Sequence, residues 1–173
     1  MKLINKFIYA RSMQAIMCVM IVAVIIWTGC AYLLKRKFQK NWEWRKCNLT
    51  LSGCMVLVIF VLTIVSRREE NMELILMPFH SFLEAKTQPE IYRSKLMNVF
   101  LFFPLGLTLP FAVSEKWNRK ALLTIVFAFV ISFAIEFLQF HYHLGRAETD
   151  DVICNTLGAA IGTISYQLSK YYT

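Results

Sequence analysis

Long uncharged runs alternate with short basic blocks along this chain, and the runs have the length of membrane spans. A helix crossing the hydrocarbon core needs about 20 largely apolar residues, each advancing roughly 1.5 Å along the axis. Met13 to Leu34 meets that length without a single charge. Leu49 to Val65, Leu96 to Val113, Ala121 to Phe140 and Val152 to Leu168 are the other candidates. The second and fifth are at the short end of the range, so four or six spans also fit. The predicted fold class is all-α, a polytopic transmembrane helix bundle of about five spans.

The first run is too long for the apolar region of a secretory signal, and no small-residue cleavage site follows it. Lys35-Arg36-Lys37 comes directly after, which reads as a stop at a membrane face. Between spans two and three, the 66–95 segment is too apolar for a plain loop. Met72, Ile75, Leu76, Phe79, Phe82 and Leu83 recur at helical spacing, and Pro78 interrupts them. That pattern predicts a broken helix, an interfacial or re-entrant segment; a short amphipathic linker fits equally well. Organisation follows from these divisions: an N-terminal part over 1–73, a core over 74–168 and a tail over 169–173.

Composition agrees. Hydrophobic residues make up 57% of the chain and charged ones 17%, with a mean hydropathy of +0.50. A soluble domain of this length needs a polar shell that this composition cannot supply. The net charge of +8 sits in loops, where it sets orientation and attracts anionic headgroups; no nucleic-acid partner is implied. Five spans place ten Lys and Arg on one side and nine on the other. The ten are packed into loops of about half the length and flank the spans directly, where they count most. The 35–48 loop is therefore assigned to the cytoplasm, the N-terminus to the outside and the C-terminus to the inside, against the pull of Lys2, Lys6 and Arg11. The five cysteines form no CxxC pair, so neither a disulfide framework nor a zinc cluster is indicated. No cofactor motif is present.

Polar residues inside the spans change the picture most. A mid-bilayer carboxylate costs on the order of 2.5–3.5 kcal/mol, less near a helix end. Glu136 lies about one turn from the end of its span. Ser132, Glu136, Gln139 and His143 share one helix face, and such a stripe must face protein or water. On the next span Asp151, Asn155 and Gly158 share a face, and Gly158 and Gly162 form a small-xxx-small spacing that permits close helix approach. Asn98 opens the third span, and Pro104-Leu105-Gly106 predicts a kink in it. The 141–151 loop adds Gly145, Arg146, Glu148, Asp150 and Asp151 at the same depth. Four acids against Arg146 demand further compensation, from Arg93, Lys95, a protonated carboxyl, or a bound cation or ligand. Simpler roles compete. Asn98, Gln139 and Asn155 can be interhelical glue, and Gly145 a turn residue. His141 and His143 read as interfacial residues, or as weak metal candidates with Glu136 and Asp150.

The run Asn98 to Gly106, then Glu136-Phe137-Leu138-Gln139, Gly145-Arg146 with Asp150-Asp151, and Asn155-x-x-Gly158, resembles the VanZ-like family. Leu74-Ile75-Leu76-Met77-Pro78-Phe79 is similar to that family's Asn-Leu-Ile-Pro-Phe element, with its Asn replaced. The resemblance covers roughly residues 74–168. It implies a multi-pass protein of the bacterial plasma membrane that affects susceptibility to teicoplanin or related lipoglycopeptides, with no established reaction. Three functions are then open. The first is an outer-leaflet site formed by Asn98, Glu136, Gln139, Gly145, Arg146, Asp150, Asp151 and Asn155, binding membrane lipids, a lipid-linked envelope precursor or a lipoglycopeptide tail. The second is an intramembrane enzyme using Glu136, Asp150 and Asp151 on a lipid-linked or phosphorylated substrate. The third is a scaffold or transporter subunit working as a homo-oligomer.

Overall fold

A computed structural model describes residues 41–65, 67, 70–113 and 116–171. The first predicted span, 13–34, lies outside the described residues. The chain divides into two compact units, Met1–Trp44 and Arg45–Thr173, and the second carries the structure described below.

Helix α1 spans Asn41–Phe60 and continues into a π-helical turn, Val61–Val65. Strand β1 (Glu70–Ile75) and the short helix α2 (His80–Glu84) follow. Helix α3 (Pro89–Ala112), helix α4 (Trp117–His141), strand β2 (Leu144–Glu148) and helix α5 (Thr149–Tyr171) complete the chain. Arg45–Val65, Glu90–Ala112 and Arg119–His141 are long and apolar enough to cross a membrane. These are the second, third and fourth predicted spans, each starting earlier than its apolar run. The fifth predicted span lies within α5, which has Asp150 and Asp151 in its first turn and is not among the three.

The helices are inside out. On α4 the buried face is Thr124, Ala128, Ser132, Ile135, Glu136 and Gln139, while Leu122, Val126, Phe129, Val130, Phe133 and Phe137 are exposed. On α5, Asn155, Gly158, Ala159, Gly162 and Thr163 are buried, while Leu157, Ile161, Ile164 and Leu168 point outward. Apolar groups outside and polar groups within is the distribution that hydrocarbon solvent selects.

Helices α3 and α5 pack with their backbones in contact. A Cβ on Gly106 would lie 2.0 Å from the Ala159 carbonyl oxygen, and one on Gly158 would lie 2.1 Å from that of Val99. The small-xxx-small spacing on α5 is thus used as predicted. Pro110 has no N–H to offer the carbonyl four residues back, which is that of Gly106. The Thr163 hydroxyl lies between that carbonyl, at 3.2 Å, and the Ala159 carbonyl, at 2.8 Å, and shares its one proton between them. Helix α1 is tied to α3 at two levels. Arg45 Nε donates to the Ala112 carbonyl at 3.3 Å, and the Ser52 and Thr108 hydroxyls lie 3.1 Å apart.

The segment between spans two and three departs from the expected broken helix. Residues 70–75 form a strand paired in parallel with β2, setting Glu73 opposite Arg146, Leu74 opposite Ala147 and Ile75 opposite Glu148. Only His80–Glu84 is helical before α3 begins. The 141–151 loop is likewise ordered into β2 and the first turn of α5. A strand wins over a helix here because β2 offers backbone partners and Pro78 prevents the helix from continuing.

Candidate ligand site

Helix α3 carries Lys95 two turns in from its start, buried to 4% exposure. A buried ammonium is tolerated only with anionic partners, and Lys95 has two. Its Nζ donates to Glu148 Oε2 at 2.5 Å and to Asp151 Oδ1. The Ser81 hydroxyl donates to the same Glu148 oxygen, and Glu148 Oε1 lies 3.0 Å from Arg146 Nε. Burial pushes the Glu148 carboxyl up. The hydrogen bonds from Lys95 and Ser81 and the charges of Lys95 and Arg146 outweigh that push, holding it below the usual carboxylate range.

Arg146 spreads over three carboxylates. Besides Glu148, its Nη2 donates to Glu84 Oε2 at 2.7 Å and its Nε lies 3.2 Å from Glu73 Oε2. The Arg146 side chain is 33% exposed and that of Glu73 is 60% exposed. This pair and the part-exposed Glu84 form the rim of a network in which Lys95, Glu148 and Asp151 are buried.

Asp150 has a different task. Phe79 sits in the left-handed region with φ 63°, which turns its amide and that of Ser81 toward one acceptor. Asp150 Oδ1 accepts from the Phe79 N–H at 2.5 Å, and Oδ2 accepts from the Ser81 N–H at 2.8 Å. One buried carboxylate thereby caps α2 and fastens it to the start of α5.

Glu136 serves the sheet. Its Oε2 accepts from the Glu148 backbone N–H at 2.9 Å, on the edge of β2 facing away from β1. The Arg67 guanidinium meets the Leu144 and Arg146 carbonyls of β2 at 3.4 Å each. An edge with unpaired groups is costly in a water-poor setting, and these two side chains cover it. The charges of Asp151, Arg67 and Lys95 all act on Glu136.

The remaining predicted site residues divide. Gln139 Nε2 donates to the Thr63 carbonyl in the π-turn at 3.1 Å, joining α4 to the end of α1. Asn155 Nδ2 donates to Ser132 Oγ at 2.8 Å, joining α5 to α4. Both amide oxygens are buried without a partner among the described residues. Gly145 is buried with φ 100°, a conformation only glycine adopts without strain. Asn98 is half-buried, and no hydrogen bond joins it to this cluster among the described residues. His141 is exposed and stacks on Phe137, with ring centroids 6.2 Å apart. His143 is also exposed, its Nδ1 lying 3.3 Å from Met72 Sδ. Among the described residues no three His, Cys, Asp or Glu side chains converge as a metal-holding group.

The structure therefore unites Glu136, Arg146 and Asp151 through two residues outside the predicted set, Lys95 and Glu148, and joins Asp150 to them through Ser81. Lys95 was detectable as a source of the missing positive charge. Ser81, Glu73, Glu84 and Arg67 carry no such signal, because their partners are about 70 residues away and only the strand pairing brings them in.

The family model for VanZ/LLP1 matches residues 48–170. The chain belongs to the VanZ/LLP1 family. The match runs from α1 to α5, begins upstream of residue 74 and contains the whole charge network. Protein VanZ of Enterococcus faecium is 35% identical to this chain over 79 residues, 46% of this chain and 47% of the relative. The chain thus spans about half the length of the curated VanZ relative it matches. No solved structure matches this VanZ/LLP1 chain. Family membership and the three apolar helices together make it a membrane protein.

Proposed function

We propose that this VanZ/LLP1 protein works in the bacterial plasma membrane by binding a polar headgroup, of a lipid or a lipid-linked envelope precursor, at the Arg146–Glu73 rim. By doing so it lowers susceptibility to teicoplanin or related lipoglycopeptides. The supporting observation is a part-exposed Arg146 beside the exposed Glu73, at the rim of an ionic network whose Lys95, Glu148 and Asp151 are buried. Such a pair contributes only about 0–1 kcal/mol, so a headgroup with both signs can replace it at little cost. Its phosphate would meet the guanidinium fork and its amine the Glu73 carboxylate. Glu84 and Glu148 would keep Arg146 in place. Asp150 and Asp151 already accept bonds from two amides and from Lys95, and Glu136 from the Glu148 amide. Binding without catalysis therefore fits them better than acid–base work.

The test is teicoplanin tolerance in a susceptible bacterial host, read beside membrane abundance of each variant. Arg146→Ala is expected to abolish the tolerance given by the wild type, and Glu73→Gln to reduce it. Full tolerance from Arg146→Ala at wild-type abundance overturns the assignment. The reading also places this end of the bundle outside the cell. With the five native cysteines replaced, cysteines at exposed positions 141 and 116 report the two ends. An impermeant maleimide applied to intact cells should label 141 and not 116; the reverse overturns the outward orientation.

A further inference from the structure

Strand β1 and the turn after it present their apolar residues outward. Leu74, Leu76, Met77, Phe79 and Leu83 are all exposed, Leu76 to 68%. In water such a cluster at the tip of an irregular segment is a liability. Much of its backbone, however, is bonded. Beyond the strand pairing, the Leu76 carbonyl accepts from the Thr149 hydroxyl at 3.2 Å, and the Met77 carbonyl accepts from the His80 N–H. Pro78 has no N–H to satisfy. The Phe79 and Ser81 amides donate to Asp150, and the Phe79 carbonyl accepts from the Leu83 N–H. Apolar side chains outside and bonded backbone inside is what a non-helical segment needs to enter lipid, where unpaired N–H and C=O groups cost several kcal/mol each.

We infer that the Leu74–Phe79 turn, with Leu83 beside it, is buried among lipid acyl chains at this end of the bundle, and that Asp150 is the positioning residue that makes this entry tolerable. Asp150 does so by accepting the two amides that the left-handed Phe79 turns inward. The occupant of the apolar surface is the bilayer itself, the same solvent that the outward Leu, Val and Phe residues of α4 face. This inference does not depend on what the Arg146 rim binds.

Phe79→Trp tests it in full-length protein whose four native tryptophans are replaced by Phe. The protein is reconstituted in phosphatidylcholine vesicles with or without brominated acyl chains. Val130→Trp in the same background reports whether the bundle is inserted. The introduced indole at 79 is expected to lose most of its emission to brominated lipid and little to aqueous iodide. Quenching by iodide but not by brominated lipid overturns the inference. So does quenching by neither, as a protein partner or second copy covering the turn would give. Adding Asp150→Asn removes one of the two acceptors. It should raise iodide access at position 79 while position 130 stays quenched by lipid; no change at 79 overturns the role of Asp150. If Asp150→Asn also lowers lipid quenching at 130, Thr149→Val, which removes only the bond to Leu76, tests the same principle on a neighbouring bond: iodide access at 79 is expected to rise, and no change there overturns the claim that the bonded backbone is what makes the entry tolerable.

Discussion

Helices α3 and α5 meet twice, by different physics. Along their middle they touch backbone to backbone, with Gly106 against Ala159 and Gly158 against Val99. At one end they are held by charge, with Lys95 of α3 gripping Asp151 of α5 and Glu148 just before it. The glycine seam depends on shape and dispersion, which tolerate no added atom. The ionic end depends on compensation, in which each member is costly once its partner is gone. The seam explains why the two helices lie side by side. The ionic end explains why a two-stranded sheet and a short helix, too small to be stable alone, stay fastened to them. Function is proposed at the ionic end because only there does the network reach the surface.

Several changes break one contact and spare the other. Lys95→Met leaves Asp151 buried without its cation and Glu148 with Arg146 alone, and should cost about 3–5 kcal/mol in detergent unfolding followed by circular dichroism. Gly158→Val drives a side chain into the Val99 carbonyl. It should cost at least the upper end of the ~1–3 kcal/mol typical of overpacking, whereas Gly53→Ala, with nothing within 4 Å of its Cβ, should leave stability unchanged or slightly higher. Acid separates the two contacts more gently. The Glu148 carboxyl is held below its ordinary value, so its contribution is present above the usual carboxylate range near ~4.3. That contribution is lost as pH falls through the lowered value in the folded protein. Thermal stability should therefore drop below that range in the wild type, and drop less in Glu148→Gln. Asn155→Leu should be the mildest of the destabilising changes, about 0.6 kcal/mol, the mean for interhelical hydrogen bonds in membranes, as its amide oxygen has no partner among the described residues.

Much of the helical framework was legible in the apolar runs, since a span-length stretch without charges has few alternatives in this composition. The ends of the helices were not. Helix α3 begins at Pro89 and α5 at Thr149, before their apolar runs, because Lys95 and Asp151 satisfy each other across elements and Asp150 is satisfied by the Phe79 and Ser81 amides. Helical spacing over 72–83 misread the segment. Leu74-Ile75-Leu76-Met77 is a continuous apolar run with no strand period of its own, and the strand's partner is about 70 residues away. Within the site, the excess of acids around Arg146 pointed to Lys95 as one source of compensation. That Asp150 would cap a turn, and Glu136 a strand edge, needed the turn and the strand to be known first. Asn98 shows the limit of depth alone: it opens its span where expected, yet no hydrogen bond joins it to the network among the described residues.

The most direct test of this account is a double-mutant cycle on Lys95 and Asp151, using Lys95→Met, Asp151→Asn and the double variant in detergent unfolding. If the end of the bundle is held by charge compensation, neutralising Asp151 should rescue part of the loss caused by Lys95→Met, giving a coupling energy of about 1 kcal/mol or more, within the 0.5–3 kcal/mol seen for contacting residues. Additivity within about 0.3–0.5 kcal/mol would contradict it, because the two residues would then be neighbours without being partners.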